Sequence, residues 1–210
     1  ILDEADRMLD MGFAEDIDAI VAATPAKRQT LLFSATLDGV VGNLASRLTR
    51  NPQRIEIEVA QQDRGQIEQR LMYADDLGHK GRLLHALLGE DGMNQAVVFT
   101  ATKRSADELS LSLQEKGISA AALHGDMHQT QRNRTLDRLR QGRIGVLVAT
   151  DVAARGIDVA GISHVINFDP PRQAEDYVHR IGRTGRAGRD GIAITLSGPR
   201  ETGLIRAIER

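Results

Sequence analysis

The hydrophobic pattern changes character near residue 65. Ahead of it the segments are short. Ile1-Leu2 reads as the end of a buried strand, and Ala5 to Met11 as a helix with Gly12 as its C-cap. Ile17, Ile20 and Val21 share a face at helical spacing, and Thr24-Pro25 ends that helix. Thr30–Phe33 reads as a short buried strand running into Ser34-Ala35-Thr36. Asp38 is placed to cap a further helix whose apolar face is Val41, Leu44 and Leu48, stopped by Asn51-Pro52. Ile55, Ile57 and Val59 alternate with glutamates, as in a half-exposed strand. Residues 60–65 are polar and end in glycine. They are the linker candidate between segment 1–59 and segment 66–210.

Beyond the linker the pattern alternates strictly. Strand-like runs are Gln69–Tyr73, Ala96–Thr100, Ala120–Leu123, Gly145–Ala149, His164–Asn167 and Ile192–Leu196. Between and after them lie helix-like segments His79–Leu88, Ser105–Lys116, Gln129–Gln141, Gln173–Gly182 and Arg200–Glu209. Ala106, Leu109 and Leu113 form one stripe. Such alternation predicts an α/β fold with right-handed crossovers and a parallel sheet covered on both faces. Ligands of these sheets sit beyond the carboxyl ends of the strands. Asp3–Asp6, Ser34–Thr36, Thr100–Thr102, His124–Asp126 and Thr150–Asp158 all fall at predicted strand ends.

Composition narrows the chemistry. The 210 residues contain no cysteine, which excludes disulfides and thiolate metal sites and fits a cytoplasmic protein. No apolar run is long enough to span a membrane, and no signal-peptide pattern is present. The net charge is −2, so any nucleic-acid contact must be local. Aromatics make up 3% of the chain and tryptophan is absent, so base stacking is not the grip. Ile1 lies in an apolar run that has already begun, as expected of a fragment.

His179-Arg180-Ile181-Gly182-Arg183-Thr184-Gly185-Arg186 joins tight-turning glycines to two planar cations that can aim at one anion. A polyphosphate gaining charge during reaction suits that pair; a basic surface loop is the alternative. Asp3-Glu4-Ala5-Asp6 can supply one carboxylate for magnesium and one to deprotonate a water. It can equally be a helix start with Asp3 as N-cap. Ser34-Ala35-Thr36 offers hydroxyls that serve a turn as well as a ligand. Gln129-Thr130-Gln131-Arg132 opens an arginine-rich helix whose first turn suits a phosphate backbone. There Arg132 is the contact, and Arg134 and Arg138 a solvated face, with Leu136 and Leu139 inward. Thr150 can bond phosphate, Asp158 can accept from ribose hydroxyls, and Gly156 relaxes the backbone between them; capping and a turn are the alternative. His179 is either a site residue or a satisfied core histidine. Asn167–Pro171 reads as structural punctuation, with proline near a helix start.

In this order the motifs closely resemble the DEAD-box family of ATP-dependent RNA helicases. The series is Asp3–Asp6, Ser34–Thr36, Val97-Val98-Phe99 with Thr102, Gln129–Arg132, Ala149–Asp158 and His179–Arg186. The resemblance implies RecA-like lobes, one truncated over 1–59 and one nearly complete over 66–210. It implies Asp3 as a magnesium ligand through water, and Glu4 as general base. Arg183 and Arg186 become arginine fingers on the γ-phosphate of ATP, and Asp158 a ribose contact. Asp6, Ser34, Thr36 and His179 couple the lobes. Gly125, Gln129, Arg132, Thr150 and Asp126 meet the RNA backbone. The mechanism implied is local, non-processive strand separation with little base specificity. Met8–Phe13 and Ala74–Lys80 are most similar to bacterial members of the SrmB/RhlE kind, which points to ribosomal or RNA-turnover partners.

No Gly-x-x-x-x-Gly-Lys-[Ser/Thr] loop occurs, and Gly78-His79-Lys80-Gly81 has neither its spacing nor its hydroxyl. The family's adenine-reading glutamine motif is absent as well. The chain alone is therefore expected to bind ATP poorly, hydrolyse it negligibly and unwind nothing. The missing N-terminal half of the first lobe is an expected partner. Residues 1–60, lacking most of a sheet, are expected to expose apolar surface. Two rival readings stand beside this one. One is a non-enzymatic RNA-binding or partner-docking module, and the other is a DNA helicase of the same superfamily.

Overall fold

The computed structural model describes residues 1–34, 37, 39–56, 66–154, 157, 159, 161–186 and 188–209. The chain divides into two compact units, Ile1–Glu58 and Val59–Arg210. The linker expected over 60–65, and Ile57 and Val59 of the expected alternating strand, lie outside the described residues.

The second unit is one six-stranded sheet in which every pairing is parallel. Its strands are β1 (Ile67–Tyr73), β2 (Ala96–Phe99), β3 (Ala120–Leu123), β4 (Val146–Ala149), β5 (His164–Asn167) and β6 (Gly191–Ser197), in spatial order β1-β6-β5-β2-β4-β3. The helices of this unit are α4 (Leu77–Leu87), α5 (Lys103–Glu115), α6 (Gln129–Arg140), α7 (Asp151–Ala154), α8 (Ala174–Ile181) and α9 (Thr202–Ile208). The inner strands β2 and β4 are apolar and buried at every position because both faces are covered. Along β2, Val97 and Phe99 join one core with Leu139 of α6 and Ala153 of α7. Val98 points to the other core, with Leu84 of α4 and Ala106 and Leu113 of α5. Leu147 and Val148 of β4 divide the same way, as the two-residue period of a strand requires.

Caps explain several starts. The Asp76 carboxylate accepts from the His79 N–H at 2.6 Å to open α4, and Thr102 Oγ1 accepts from the Ser105 N–H at 3.0 Å to open α5. A buried lysine ties α4 to the strand ends. Lys80 Nζ donates to the Phe168 carbonyl at 2.8 Å and pairs with Glu201 at 2.5 Å.

The first unit is smaller: α1 (Ala5–Asp10), α2 (Ala14–Ala22) and α3 (Gly39–Leu48) around Ala5, Ile17, Val41, Leu44 and Leu48. Gly12 has φ of 81°, consistent with the expected stop of α1. Three expectations are corrected here. Thr30–Phe33 is not a buried strand: it makes a single parallel bridge, Leu2 with Leu32, and Phe33 is 54% exposed. Among the described residues, its other edge pairs with nothing. Ile20 leaves the α2 core face for solvent at 63% exposure, since the small core has room for Ile17 and partly for Val21. Ile55 is exposed and belongs to no strand. Asp38, expected as a cap, lies outside the described residues. The expected apolar exposure is present: a groove of about 840 Å³ is lined by Leu31, Phe33, Leu37, Pro52 and Ile55 among others.

Candidate functional site

The acidic run follows directly on the isolated bridge of Leu2 to Leu32. The Glu4 N–H donates to Asp3 Oδ1 at 3.0 Å, folding that carboxylate onto the backbone. Glu4 itself is the N-cap of α1, in left-handed geometry (φ 52°, ψ 48°), and its side chain makes no capping bond. So Asp3 is not the N-cap, and the Glu4 carboxylate is left to solvent. A non-glycine residue in that region costs roughly 1–2 kcal/mol, a strain that clusters at functional positions. The Ala5 N–H donates to the Phe33 carbonyl at 3.0 Å, and the Asp6 N–H to Ser34 Oγ at 3.3 Å. Asp6 and Ser34 do meet, through the Asp6 backbone amide. Thr36 lies outside the described residues.

In the second unit the RNA candidates gather at the carboxyl ends of β3 and β4. The Thr150 N–H donates to the Leu123 carbonyl at 3.3 Å, joining those ends. Past β3, two ties to one face of α5 hold the turn. His124 Nε2 lies 2.9 Å from Asp107, and Lys103 Nζ donates to Asp126 at 2.5 Å. The Lys103 ammonium holds the Asp126 carboxyl below its usual range. Exposed Gly125 sits between these ties. A Cβ there would meet nothing closer than Lys103 Cε at 3.7 Å, so packing does not demand glycine. Gln129 and Arg132 stand on the first turns of α6, and Arg132 Nη2 donates to the Ala153 carbonyl at 3.3 Å. Arg134 and Arg138 are exposed, as expected of a solvated face.

The arginine motif divides into different roles. Arg180, 3% exposed, turns into the sheet rather than outward. Its Nε and Nη2 donate to the two Asp151 oxygens at 2.6 and 2.8 Å. Its Nη1 donates to Asn167 Oδ1 at 3.1 Å and to the Asp169 carbonyl at 2.7 Å, and its guanidinium stacks 5.0 Å from the Phe99 ring centre. Sequence reasoning missed Arg180 and Asp151, because nothing local marks which motif arginine faces inward. Asp151 opens α7, a four-residue helix also missed.

Arg183 and Arg186 lie past α8 on a loop seated at the amino ends of β5 and β6, opposite the RNA candidates. Arg183 Nη1 donates to the Ile157 carbonyl at 3.1 Å and its Nε to the His179 carbonyl at 3.3 Å. Arg186 Nε donates to the Gly182 carbonyl at 2.7 Å. Both are half-buried, as is His179, which is therefore not a core histidine. The rule of strand carboxyl ends thus covers Thr150 and Gly125 but not the arginine loop. Asp158 lies outside the described residues.

Residues 79–188 match the family described as Helicase conserved C-terminal domain, and residues 1–44 match DEAD/DEAH box helicase. The chain is 46% identical over 210 residues to the DEAD-box ATP-dependent RNA helicase CshA of Bacillus licheniformis, covering all of this chain and 43% of that one. It is 50% identical over 197 residues to the ATP-dependent RNA helicase SrmB of Escherichia coli, covering 93% of this chain and 44% of that one. The chain therefore spans less than half the length of these curated relatives. Among solved structures, E. coli SrmB bound to regulator of ribonuclease activity A is similar at 47% identity and a TM-score of 0.66, over 68% of this chain and 84% of that one. Yeast Dbp5 bound to RNA and ADP BeF3 is similar at 34% identity and a TM-score of 0.82, over 99% and 55%. Fold and site thus define RecA-like helicase lobes. The chain belongs to the DEAD-box family.

Proposed function

We propose that the chain carries catalytic and RNA-binding parts of an ATP-dependent RNA helicase. The observation that carries this reading is the arginine loop. Arg183 and Arg186 flank a buried threonine, and each guanidinium is oriented by backbone carbonyls. A cation pair prepared in this way stabilises charge that grows on a γ-phosphate. Glu4, with its carboxylate free of capping duty, takes a proton from the attacking water. A water-oxygen-to-phosphorus bond forms, the β–γ bridge breaks, and ADP keeps the bridging oxygen.

Asp3 offers a single exposed carboxylate, and no group of three ligand side chains exists among the described residues. That fits magnesium, which retains waters and takes one or two carboxylates plus phosphates. The ion would supply charge neutralisation of the phosphates; Asp3 would hold it through water. Asp158 would accept from the ribose. Gly125, Gln129, Arg132 and Thr150, with Asp126, would meet phosphate and sugar, which carry little base information. Asp6, Ser34, Thr36 and His179 would couple nucleotide state to RNA grip. The place proposed for it is the cytoplasm, in ribosome assembly or RNA turnover; for turnover the support is the likeness to SrmB, which is seen bound to a regulator of ribonuclease activity.

ATP hydrolysis with and without single-stranded RNA tests the reading, on the 210-residue chain and on the chain joined to a phosphate-loop half. The joined protein is expected to respond to RNA, and Arg183→Ala to lower its rate by about 10³-fold or more. Hydrolysis by the 210-residue chain would overturn the need for a phosphate loop. RNA binding without hydrolysis in the joined protein would favour a binding module.

A further inference from the structure

We infer that Gly191, the first residue of β6, is a positioning residue for the Arg183–Arg186 loop, its missing side chain forming the seat into which Thr184 locks. The inference rests on the proposal that these arginines act on the nucleotide.

The backbone gives the first argument. Gly191 is not among the glycines with positive φ, so an alanine could adopt its conformation. Its ladder contacts, the pairing with Ile67 and the N–H donated to the Gln66 carbonyl at 3.0 Å, would also survive one. Glycine is therefore not required there by turn geometry or by the sheet.

Close approach requires it. A Cβ at 191 would stand 2.4 Å from Thr184 Oγ1, 2.7 Å from Thr184 Cγ2 and 2.6 Å from the Gly185 backbone nitrogen. Real Cβ atoms do not sustain contacts under 3.0 Å, and one of these three is to backbone, so a rotamer change alone cannot relieve them. Glycine inside a strand commonly marks such an approach.

Thr184 is held from the other side. It is 1% exposed, and its hydroxyl lies 2.7 Å from the Ile162 carbonyl and 3.0 Å from the Ser163 carbonyl. The Ser163 carbonyl also accepts from the Ile192 N–H at 3.0 Å. Thr184 is thus wedged between the start of β6 and the turn entering β5. Arg183 and Arg186 lie one and two residues from it, so a shift of this wedge moves both guanidiniums. A misplacement of about 1 Å at a reacting group can cost ~100-fold in rate.

Two variants test this. Gly191→Ala pushes the wedge out, and Thr184→Val keeps its volume but removes the hydroxyl anchor. In the isotope-labelled 210-residue chain, Gly191→Ala is expected to move the NMR signals of Thr184, Gly185, Arg186 and the Arg183 Nε–H, leaving those of β2, β4 and α6 in place. Unmoved loop signals in a folded variant would overturn the seat. In the chain joined to a phosphate-loop half, both variants are expected to lower kcat for RNA-stimulated hydrolysis by ~10-fold or more, with KM for RNA within about twofold. If Gly191→Ala does not fold, Thr184→Val decides, and an unchanged kcat there overturns the proposal. Arg183→Ala separates the two ideas. If it leaves kcat unchanged, the nucleotide reading fails, and the NMR signals still decide the seat.

Discussion

Arg180 of α8 and Asp151 of α7 face each other through two parallel hydrogen bonds of 2.6 and 2.8 Å. The pair joins the helix that leads into the arginine loop to the residue that follows Thr150. Arg132 reaches the same short helix through the Ala153 carbonyl. Removing one partner of a buried pair costs about 3–5 kcal/mol. The Asp151 side chain is 32% exposed, so solvent screening favours the lower end, about 3 kcal/mol, for Arg180→Met. Urea unfolding of the second unit measures it, and a loss under about 1 kcal/mol would contradict the geometry. Adding Asp151→Leu is expected to restore only part, because Asn167 Oδ1 and the Asp169 carbonyl still lose their donor.

Glu4 carries backbone strain that Asn tolerates better. Glu4→Asn is expected to stabilise the first unit by up to about 1 kcal/mol. The same change should abolish hydrolysis in the joined protein, whereas Glu4→Gln abolishes hydrolysis without the gain. Thermal unfolding of both variants checks this; equal stability would remove the strain argument.

Arg132 and Arg134 are neighbours on α6 with different surroundings. If Arg132 meets a phosphate, Arg132→Ala lowers RNA affinity and reduces the slope of log K against log salt by about 0.7–1. Arg134→Ala is expected to leave the slope nearly unchanged. Titration at several salt concentrations tells the two apart, and equal slopes for both would argue for a diffuse basic surface.

His164 starts β5, only 5% exposed, with Nδ1 2.8 Å from Ser163 Oγ. Burial holds its pKa below the ordinary 6.5; nearby Arg70 pushes the same way and Glu90 opposes. Its folded pKa is depressed, so the unfolded chain binds the proton first as pH drops below about 6.5. The stability contributed by neutral His164 is thus present above that pH and is lost as pH falls towards the folded pKa. His164→Gln is expected to flatten this part of the stability–pH curve, measured as urea midpoints between pH 7.5 and 5. An unaltered curve would place the titration elsewhere.

The first unit exposes Leu31, Phe33, Val40 and Ile55 around a small core. Limited proteolysis is therefore expected to cut within 1–58 before cutting the sheet of the second unit. Cleavage at equal rates would mean that the first unit is better held than its burial suggests.

Much of this was legible in the sequence. Ala96–Phe99 and Val146–Ala149 stood out because a strand buried on both faces is apolar at every position, and the helices between the strands because their stripes repeat. Ala120–Leu123 and His164–Asn167 have the bounds expected, and β1 and β6 extend two residues or fewer beyond their expected runs. What failed to show has physical reasons. α7 is too short for a period, and Thr30–Phe33 looks buried although, among the described residues, it has no second neighbour. The inward turn of Arg180 depends on Asp151, 29 positions away, which no local pattern encodes. The motif residues could be picked out from the sequence. Their division between opposite ends of the strands was not.

Val97 and Val98, adjacent in β2, belong to different cores. Adding or deleting one residue inside that strand would exchange the two sets at a stroke, turning each side chain beyond the change to the wrong layer. Changes in chain length during divergence should then accumulate in connections such as 88–95 and 116–119, while the strands keep their number of residues. For any descendant of this fold, the spacing between a motif and the strand before it is the quantity that drift can least afford to alter.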